Sequence, residues 1–188
     1  MRNTLIAVVL PPGEVFAPAA AGPVGLEARR LALQPSAFRP LVLGAQVETP
    51  FADVAFRPVQ PPWMLAGALT RYAAGVAQAL AGRVPALVEV HNLPELALAL
   101  ADRLPAPVML VQHTDPQEMR RARTPAERLF LVGTLARIVT LSAELRDRLL
   151  DGLHETPRQV HALPEGIHLD AVRGDVVAAW AAGEAAPV

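Results

Sequence analysis

The amino-acid sequence predicts an α/β protein with a doubly wound, mostly parallel sheet of about seven strands and helices on both faces. Short apolar runs alternate with amphipathic segments along its 188 residues, as expected of parallel strands buried on both faces. Two of these runs, at 87–90 and 108–111, lead into a histidine and a polar turn. Ligands of such sheets bind just outside the carboxyl ends of the strands, so these turns indicate a functional site.

The composition excludes several classes of function. Hydrophobic residues make up 52 % of the chain, which is enough for the core of one domain. A net charge of -1 and an aromatic content of 4 % do not indicate a surface that binds nucleic acid. All 17 basic residues are arginine, so a Schiff-base or P-loop lysine is excluded. Without cysteine, disulfides, thiolate nucleophiles and cysteine-ligated metals are excluded as well.

The amino terminus is interpreted as a buried strand and not as a signal peptide. Its apolar stretch, 5–10, is short, and Pro11, Pro12 and Glu14 interrupt it before a cleavage site could follow. The longest uncharged stretch, 58–70, contains three prolines and is too short to span a bilayer. We therefore expect a cytoplasmic protein, and peripheral contact with the inner face of a membrane stays open.

The predicted strands are the apolar runs bounded by proline, glycine or polar residues. They lie at 5–10, 40–45, 54–59, 87–90, 108–111, 138–141 and 159–163. A loop rich in proline, glycine and alanine, 11–25, follows the first of them. The order of strands and helices predicts one domain over residues 1–170 and an interdomain or tail helix, partly loose, over 171–188.

The predicted helices carry apolar residues at helical spacing, and most begin at a recognisable cap. They lie at 26–33 and 64–80, after Asn92, after Thr124, at 143–150 and in the first part of the tail. Asn92 with Glu95 fits a capping box, and Thr124 with Glu127 fits a second one.

Five segments, taken in order, resemble the amino-terminal, acceptor-side domain of GT-B glycosyltransferases of the large retaining family 4. They are the glycine-containing loop after the first strand, the strand ending in His91 and Asn92, the strand ending in His113, ARIVTLSAELRDRLL and VHALPEGIHLD. The resemblance rests on the ordered set and spans residues 5–170. The segments EVHNLPE, HTDPQEMR and TPAER look like a bacterial polysaccharide-type branch of that family.

The resemblance implies a Rossmann-like half-domain of an enzyme that transfers a sugar from a nucleotide-sugar donor to a glycan or lipid-linked acceptor. The donor is a substrate, and neither a cofactor nor a metal is implied. In the family, a second domain binds most of the donor, and this sequence contains no match to it. The half-domain is therefore expected to need a donor-binding domain or a partner chain, and to be inactive alone.

Two other functions remain open beside this one. A non-catalytic module could keep the fold and bind a sugar, a nucleotide or a partner protein. A flavodoxin-like or nucleotide-sugar epimerase-type protein is disfavoured, because no GxGxxG fingerprint follows the first strand.

His113 is the candidate catalytic residue, because it matches the family's histidine near the reaction centre. Its implied role is a hydrogen bond to the transferring sugar or to the acceptor. Gly22 and Gly25 would let the loop backbone approach a sugar or a phosphate, although they are not adjacent as the family's glycines are.

Four further residues at these strand ends are candidates for substrate binding. His91 either binds acceptor hydroxyls or is only a polar strand end. Asn92 is more simply a helix cap. Asp115 could bind sugar hydroxyls, and Arg120 could meet a phosphate.

The last candidates lie towards the carboxyl terminus. Ser142 and Arg146 match the family's serine and arginine, and Ser142 is most simply a helix cap. Glu165 and Gly166 would lie at the interdomain hinge, where Glu165 replaces the family's asparagine. A metal site at His91, His113 and Asp115 has suitable ligand types, but histidines at strand ends are common without metal, so none is predicted.

Overall fold

The computed structural model describes residues 4–64, 66–154, 159–163 and 169–183, with only the backbone at 169–171. Within these ranges the strands are β1 (Thr4–Val9), β2 (Phe38–Gly44), β3 (Phe56–Pro58), β4 (Leu87–His91), β5 (Val108–Gln112), β6 (Arg137–Thr140) and β7 (Val160–Ala162). They form one sheet in the order β3-β2-β1-β4-β5-β6-β7, and every neighbouring pair is parallel. The predicted parallel sheet is confirmed.

Helices cover both faces of the sheet, as predicted. They are α1 (Pro23–Ala32), α2 (Ala68–Ala79), α3 (Pro94–Ala101), α4 (Pro125–Thr134), α5 (Ala143–Leu150) and α6 (Leu169–Ala181), with a 3₁₀ turn at Pro116–Glu118. Alternate residues of each strand point to opposite faces. Ile6 and Val8 therefore pack with α1 and α6, whereas Ala7 and Val9 pack on the face covered by the other helices. None of the described helices has the length and apolar character needed to cross a bilayer.

The start of α2 differs from the prediction. The apolar spacing predicts a helix from residue 64, but α2 begins at Ala68. Gly67 precedes it with a φ of +83°, a backbone conformation that ends any helical path coming from Met64. Trp63 and Met64 consequently lie in the preceding turn with exposed side chains.

The loop after β1 is anchored in the core by an aromatic cluster. Phe16 is fully buried, and its ring stacks on Phe56 at a centroid distance of 5.4 Å. Phe51 meets the same ring edge-on at 5.0 Å. The loop therefore has a fixed path over the carboxyl ends of β1 and β2.

We expect Gly75→Ala to lower the free energy of unfolding by about 1–3 kcal/mol, because α2 crosses the sheet with no room for a methyl group. A Cβ at Gly75 would lie 2.8 Å from Val59 Cγ1 and 2.9 Å from the backbone oxygen of Gln60. Urea denaturation measures the change. Gly133→Ala in α4 is the matched control: its Cβ would meet nothing within 4 Å, so better helix propensity should stabilise it by up to about 1 kcal/mol. Equal effects at the two positions would contradict the packing argument.

Candidate active site

The candidate site lies where the order of the sheet reverses. The chain runs outward from β1 through β2 to β3, then returns to place β4 on the other side of β1. The loops after β1 and β4 therefore diverge and leave a crevice at the carboxyl edge, the usual ligand position in such sheets.

His91 and His113 meet at this edge. His91 is the last residue of β4, and His113 follows the end of β5, the neighbouring strand. His91 Nδ1 lies 2.9 Å from His113 Nε2, and the ring centroids are 5.1 Å apart. His91 is fully buried and His113 only partly, so His113 is the member of the pair that a ligand can reach.

Two residues that the sequence analysis missed complete a buried polar chain behind this pair. Glu89 lies two residues before His91 on the same face of β4, and its Oε1 lies 2.8 Å from His91 Nε2. Arg173 on α6 donates from Nε to Glu89 Oε2 at 3.1 Å. Its Nη2 lies 3.0 Å from the same oxygen. Glu89 and Arg173 have exposures of 0 % and 1 %, so this ion pair lies fully inside the protein.

The surroundings favour the ionised form of Glu89 and the neutral form of His113, because they lower both pKa values. Burial raises the pKa of Glu89, but the charge of Arg173 and the hydrogen bond from His91 outweigh it and lower this pKa to about 2. Burial lowers the pKa of His113 to about 3; His91 contributes in the same direction, whereas the charge of Glu27 on α1 opposes it. At neutral pH the site therefore holds an ionised Glu89 and a neutral His113 imidazole.

Asn92 is not the cap of α3, so that interpretation is wrong. The N-cap residue is Leu93, because Pro94 occupies the first turn of the helix. Asn92 has a φ of +51°, which asparagine tolerates better than most residues. Its Oδ1 accepts hydrogen bonds from the backbone N–H groups of His113 and Thr114, both at 3.1 Å. Asn92 thus ties the end of β4 to the loop after β5 and fixes the backbone of His113.

Glu95, which was predicted to form a capping box with Asn92, contacts Arg120. Glu95 Oε2 lies 3.4 Å from Arg120 Nε in place of a capping box. The Arg120 side chain is 76 % exposed, so its guanidinium stays open to a ligand at the rim.

The two loop glycines are close to a carboxylate of the chain itself. Gly22 is the N-cap residue of α1, and Gly25 lies in its first turn. The Gly25 N–H donates to Glu14 Oε1 at 2.7 Å. A Cβ at Gly22 or at Gly25 would lie only 2.7 or 2.8 Å from that oxygen. The sequence analysis predicted the approach of a sugar or a phosphate here, and it missed that Glu14 lies beside both glycines.

Asp115 fixes its own loop. It forms an ion pair with Arg148 on α5, and its Oδ1 accepts from the Gln117 N–H at 2.9 Å. The hydrogen bond from Arg148 holds the pKa of Asp115 below its usual range. Both ring nitrogens of His91 are likewise engaged, so His91, His113 and Asp115 do not converge on one point. No group of three candidate metal ligands occurs among the described residues.

Two of the remaining predicted residues, Ser142 and Arg146, belong to the start and the middle of α5, farther along the sheet edge. Ser142 caps α5, since its Oγ accepts from the Leu145 N–H at 3.1 Å. Arg146 Nη1 lies 3.8 Å from Asp147 Oδ1 on the same helix. Glu165 and Gly166 lie outside the described residues.

An open cleft of about 600 Å³ extends the crevice over the ends of β2 and β3. Its walls include Gln46, Gln60, Arg71 and Tyr72, and Trp63 stands at it with an 83 % exposed side chain. The Tyr72 hydroxyl donates to the backbone oxygen of Leu10 at 3.0 Å, and burial raises its pKa. The cleft combines an exposed aromatic face with amide and guanidinium groups, and sequence reasoning had no indication of it.

Comparison with solved structures found several with this fold, including a synthase and an epimerase. A sucrose-phosphate synthase structure from Thermosynechococcus elongatus superposes with a TM-score of 0.60 at 11 % identity, over 97 % of this chain and 100 % of that one. The UDP-N-acetylglucosamine 2-epimerase of Rickettsia bellii superposes with a TM-score of 0.56, also at 11 % identity, over 97 % of this chain. The chain spans 48 % of the length of the epimerase. At these identities the comparisons establish the fold, which is that of a GT-B half-domain.

Comparison by sequence gave no match. No protein-family model and no curated protein matches the chain. The fold is shared with a synthase and with an epimerase, so the fold alone does not separate these two classes of enzyme.

Proposed function

We propose that this chain is the acceptor-side half of a family 4-like GT-B glycosyltransferase. It would help to transfer a sugar, with retention, from a nucleotide-sugar donor to a hydroxyl of a glycan or lipid-linked acceptor. The observation that carries the proposal is the His91–His113 pair, with Nδ1 and Nε2 2.9 Å apart, at the switch point of a GT-B half-domain. Its setting in the cell would be polysaccharide assembly at the cytoplasmic face of a bacterial membrane.

His113 is assigned the contact with the reacting sugars. Its pKa of about 3 makes it a weak base, so its role is a hydrogen bond that positions a sugar hydroxyl. Asn92 supports this role, because it accepts a hydrogen bond from the His113 backbone N–H and so fixes the position of the backbone that carries the imidazole ring. Asp115 and Ser142 shape the adjacent loops through their own contacts.

Two parts of the surface suit different groups of the substrates. Trp63 offers a flat apolar face on which a sugar ring can stack, and Arg71 and Gln60 lie beside it for hydroxyl groups. Arg120 is exposed at the rim and suits a phosphate of the donor or of a lipid-linked acceptor. Arg146, Glu165 and Gly166 are proposed for the side that faces a donor domain.

Leaving-group chemistry would need a second half. Retaining transfer from a nucleotide sugar releases a diphosphate, whose charge must be stabilised by preorganised donors. In this chain the amide of Gly25 at the start of α1 is already bonded to Glu14. The donor-binding domain or partner chain would therefore supply the diphosphate site. No cofactor is proposed, since the nucleotide sugar is itself the substrate.

The same contact favours a second candidate, a non-catalytic binding module. Glu14 occupies the N-terminus of α1, where an anionic ligand would otherwise bind. A module of this kind would bind neutral glycans at the cleft beside Trp63 and would transfer nothing, even with a donor domain present.

The test is a transfer assay with nucleotide sugars and glycan acceptors. We expect no turnover from the isolated chain, and turnover when a donor-binding domain is joined to it or supplied as a partner. In that active form His113→Ala should lower kcat by about 10²–10³-fold. His154→Ala is the control, because His154 is exposed. Turnover by the isolated chain, or full activity of His113→Ala, would contradict the proposal. Glycan binding without transfer in every form would favour the second candidate.

A further inference from the structure

A continuous line of hydrogen bonds runs from α6 along the face of β4 that this helix covers to the candidate site. Arg173 bonds to Glu89, Glu89 to His91, and His91 to His113, with donor–acceptor distances between 2.8 and 3.1 Å. Arg173, Glu89 and His91 are at most 1 % exposed. Water therefore does not compete for these bonds, and each proton position depends on the next group in the line.

The proton positions follow from counting donors and acceptors. An ionised carboxylate only accepts, so the hydrogen between Glu89 Oε1 and His91 Nε2 belongs to His91. Arg173 and Glu89 already balance each other's charge, and a further proton on the buried His91 would have no counter-ion there. A His91 that carries its one proton on Nε2 has a bare Nδ1, which can only accept. The hydrogen between the two histidines then comes from His113 Nε2.

We propose that Glu89, held by Arg173, is a positioning residue that fixes the proton of His91 on Nε2 and thereby makes His113 present a bare Nδ1 to the crevice. His113 Nδ1 has no hydrogen-bond partner among the described residues, so it remains available to a ligand. Neither Glu89 nor Arg173 touches the ligand, and both act through the two imidazole rings.

This arrangement specifies what His113 can bind. A bare imidazole nitrogen accepts a hydrogen bond from a hydroxyl group and has no proton to offer to a phosphate oxygen. The group recognised at His113 is therefore a sugar hydroxyl and not the diphosphate of a donor. This assignment of a ligand group rests on the proposed function, whereas the proton positions themselves do not.

The first test is histidine-ring ¹⁵N NMR on the ligand-free chain at neutral pH, with His91 and His113 assigned from His91→Gln and His113→Gln spectra. The chain has five histidines, so the spectrum is small enough to assign. We expect a protonated Nε2 and a bare Nδ1 on both residues. A protonated Nδ1 on His113, or two protonated nitrogens on His91, would overturn the proposal.

The second test removes the charge that fixes the protons. In Glu89→Gln/Arg173→Met the amide can either accept from His91 Nε2 or donate to it, and no buried charge is left unpaired. We expect the ratio of Nε2–H to Nδ1–H forms of His113 to fall at least about tenfold, because a hydrogen bond to a charged group is stronger than one to a neutral amide. Glu27→Gln is the control, since Glu27 acts on His113 by charge without a hydrogen bond to it.

The outcomes separate this proposal from the proposed function. An unchanged ratio in the double variant, or an equal change in Glu27→Gln, would overturn the positioning role of Glu89 whatever the activity. If the proton positions are as expected but neither the isolated chain nor the chain joined to a donor-binding domain transfers sugar, the positioning role of Glu89 is supported and the proposed transferase function is contradicted.

Discussion

Arg173→Met is expected to lower the free energy of unfolding by about 3–5 kcal/mol, because it leaves the buried Glu89 carboxylate without its counter-charge. Glu89 is fully buried, and the only cation paired with it in the described part of the chain is Arg173. Denaturation in urea or guanidinium measures the loss. Arg103→Met is the control: its weak pair with Asp102, 4.0 Å long, lies at the surface, so its effect should stay within about 0.5 kcal/mol.

The double variant Glu89→Gln/Arg173→Met should be more stable than Arg173→Met alone. Removing the carboxylate charge removes the reason for the loss, and glutamine keeps an acceptor for His91 Nε2. We expect a coupling energy of about 2 kcal/mol between the two positions. Strictly additive effects would mean that the two side chains are not coupled in solution.

Acid is expected to destabilise the folded chain, with His113 responsible for the first part of the loss. Its folded pKa of about 3 lies below the ordinary value of 6.5, so the unfolded chain binds this proton first as the pH falls. The contribution is neutral above pH 6.5, where both states are unprotonated, and becomes unfavourable as the pH falls from there towards 3. At pH 5 the loss amounts to about 2 kcal/mol.

Glu89 adds to this loss only at lower pH. Its folded pKa of about 2 lies below the ordinary 4.5, so its stabilisation is present above 4.5 and disappears as the pH falls towards 2. His113→Gln should therefore flatten the stability curve between pH 6.5 and 4.5, make it less steep between 4.5 and 3, and leave the part below pH 3 unchanged. His154→Gln, at an exposed position, should not alter the curve. A His113→Gln curve parallel to that of the unaltered chain would show that His113 titrates normally.

The sheet was predictable because its central strands β1, β4 and β5 are largely buried on both faces and, apart from Glu89 and the polar ends, consist of apolar residues. Two helix starts were predictable for a local reason. The Thr124 hydroxyl and the Glu127 carboxylate exchange hydrogen bonds with each other's backbone N–H groups, and Ser142 caps α5. Such caps depend on residues three apart, so the sequence alone contains them.

The misassignment of Asn92 has a physical explanation that was also visible in the sequence. Asparagine three residues before Glu95 fits a capping box, but Pro94 belongs in the first turn of a helix, which places the N-cap at Leu93. Asn92 is left outside the helix, with a positive φ that turns its side chain towards β5.

The candidate site was only half predictable. His91 and His113 followed from their strand ends. Glu89 could have been found, because residues two apart on a strand share a face and a carboxylate among apolar neighbours needs a partner. No local pattern indicated that Arg173 belongs to the site, since it lies 84 residues from Glu89 and meets it only in the folded chain.

That separation also sets an order of events during synthesis. A ribosome adding 5–20 residues per second needs about 4–17 s to pass from Glu89 to Arg173. Throughout that interval β1, β4 and β5 can already pair, but the Glu89 carboxylate in the centre of the sheet does not yet have Arg173 as its ion-pair partner. The candidate site therefore takes its final form late, after the strands that carry the histidines have already emerged.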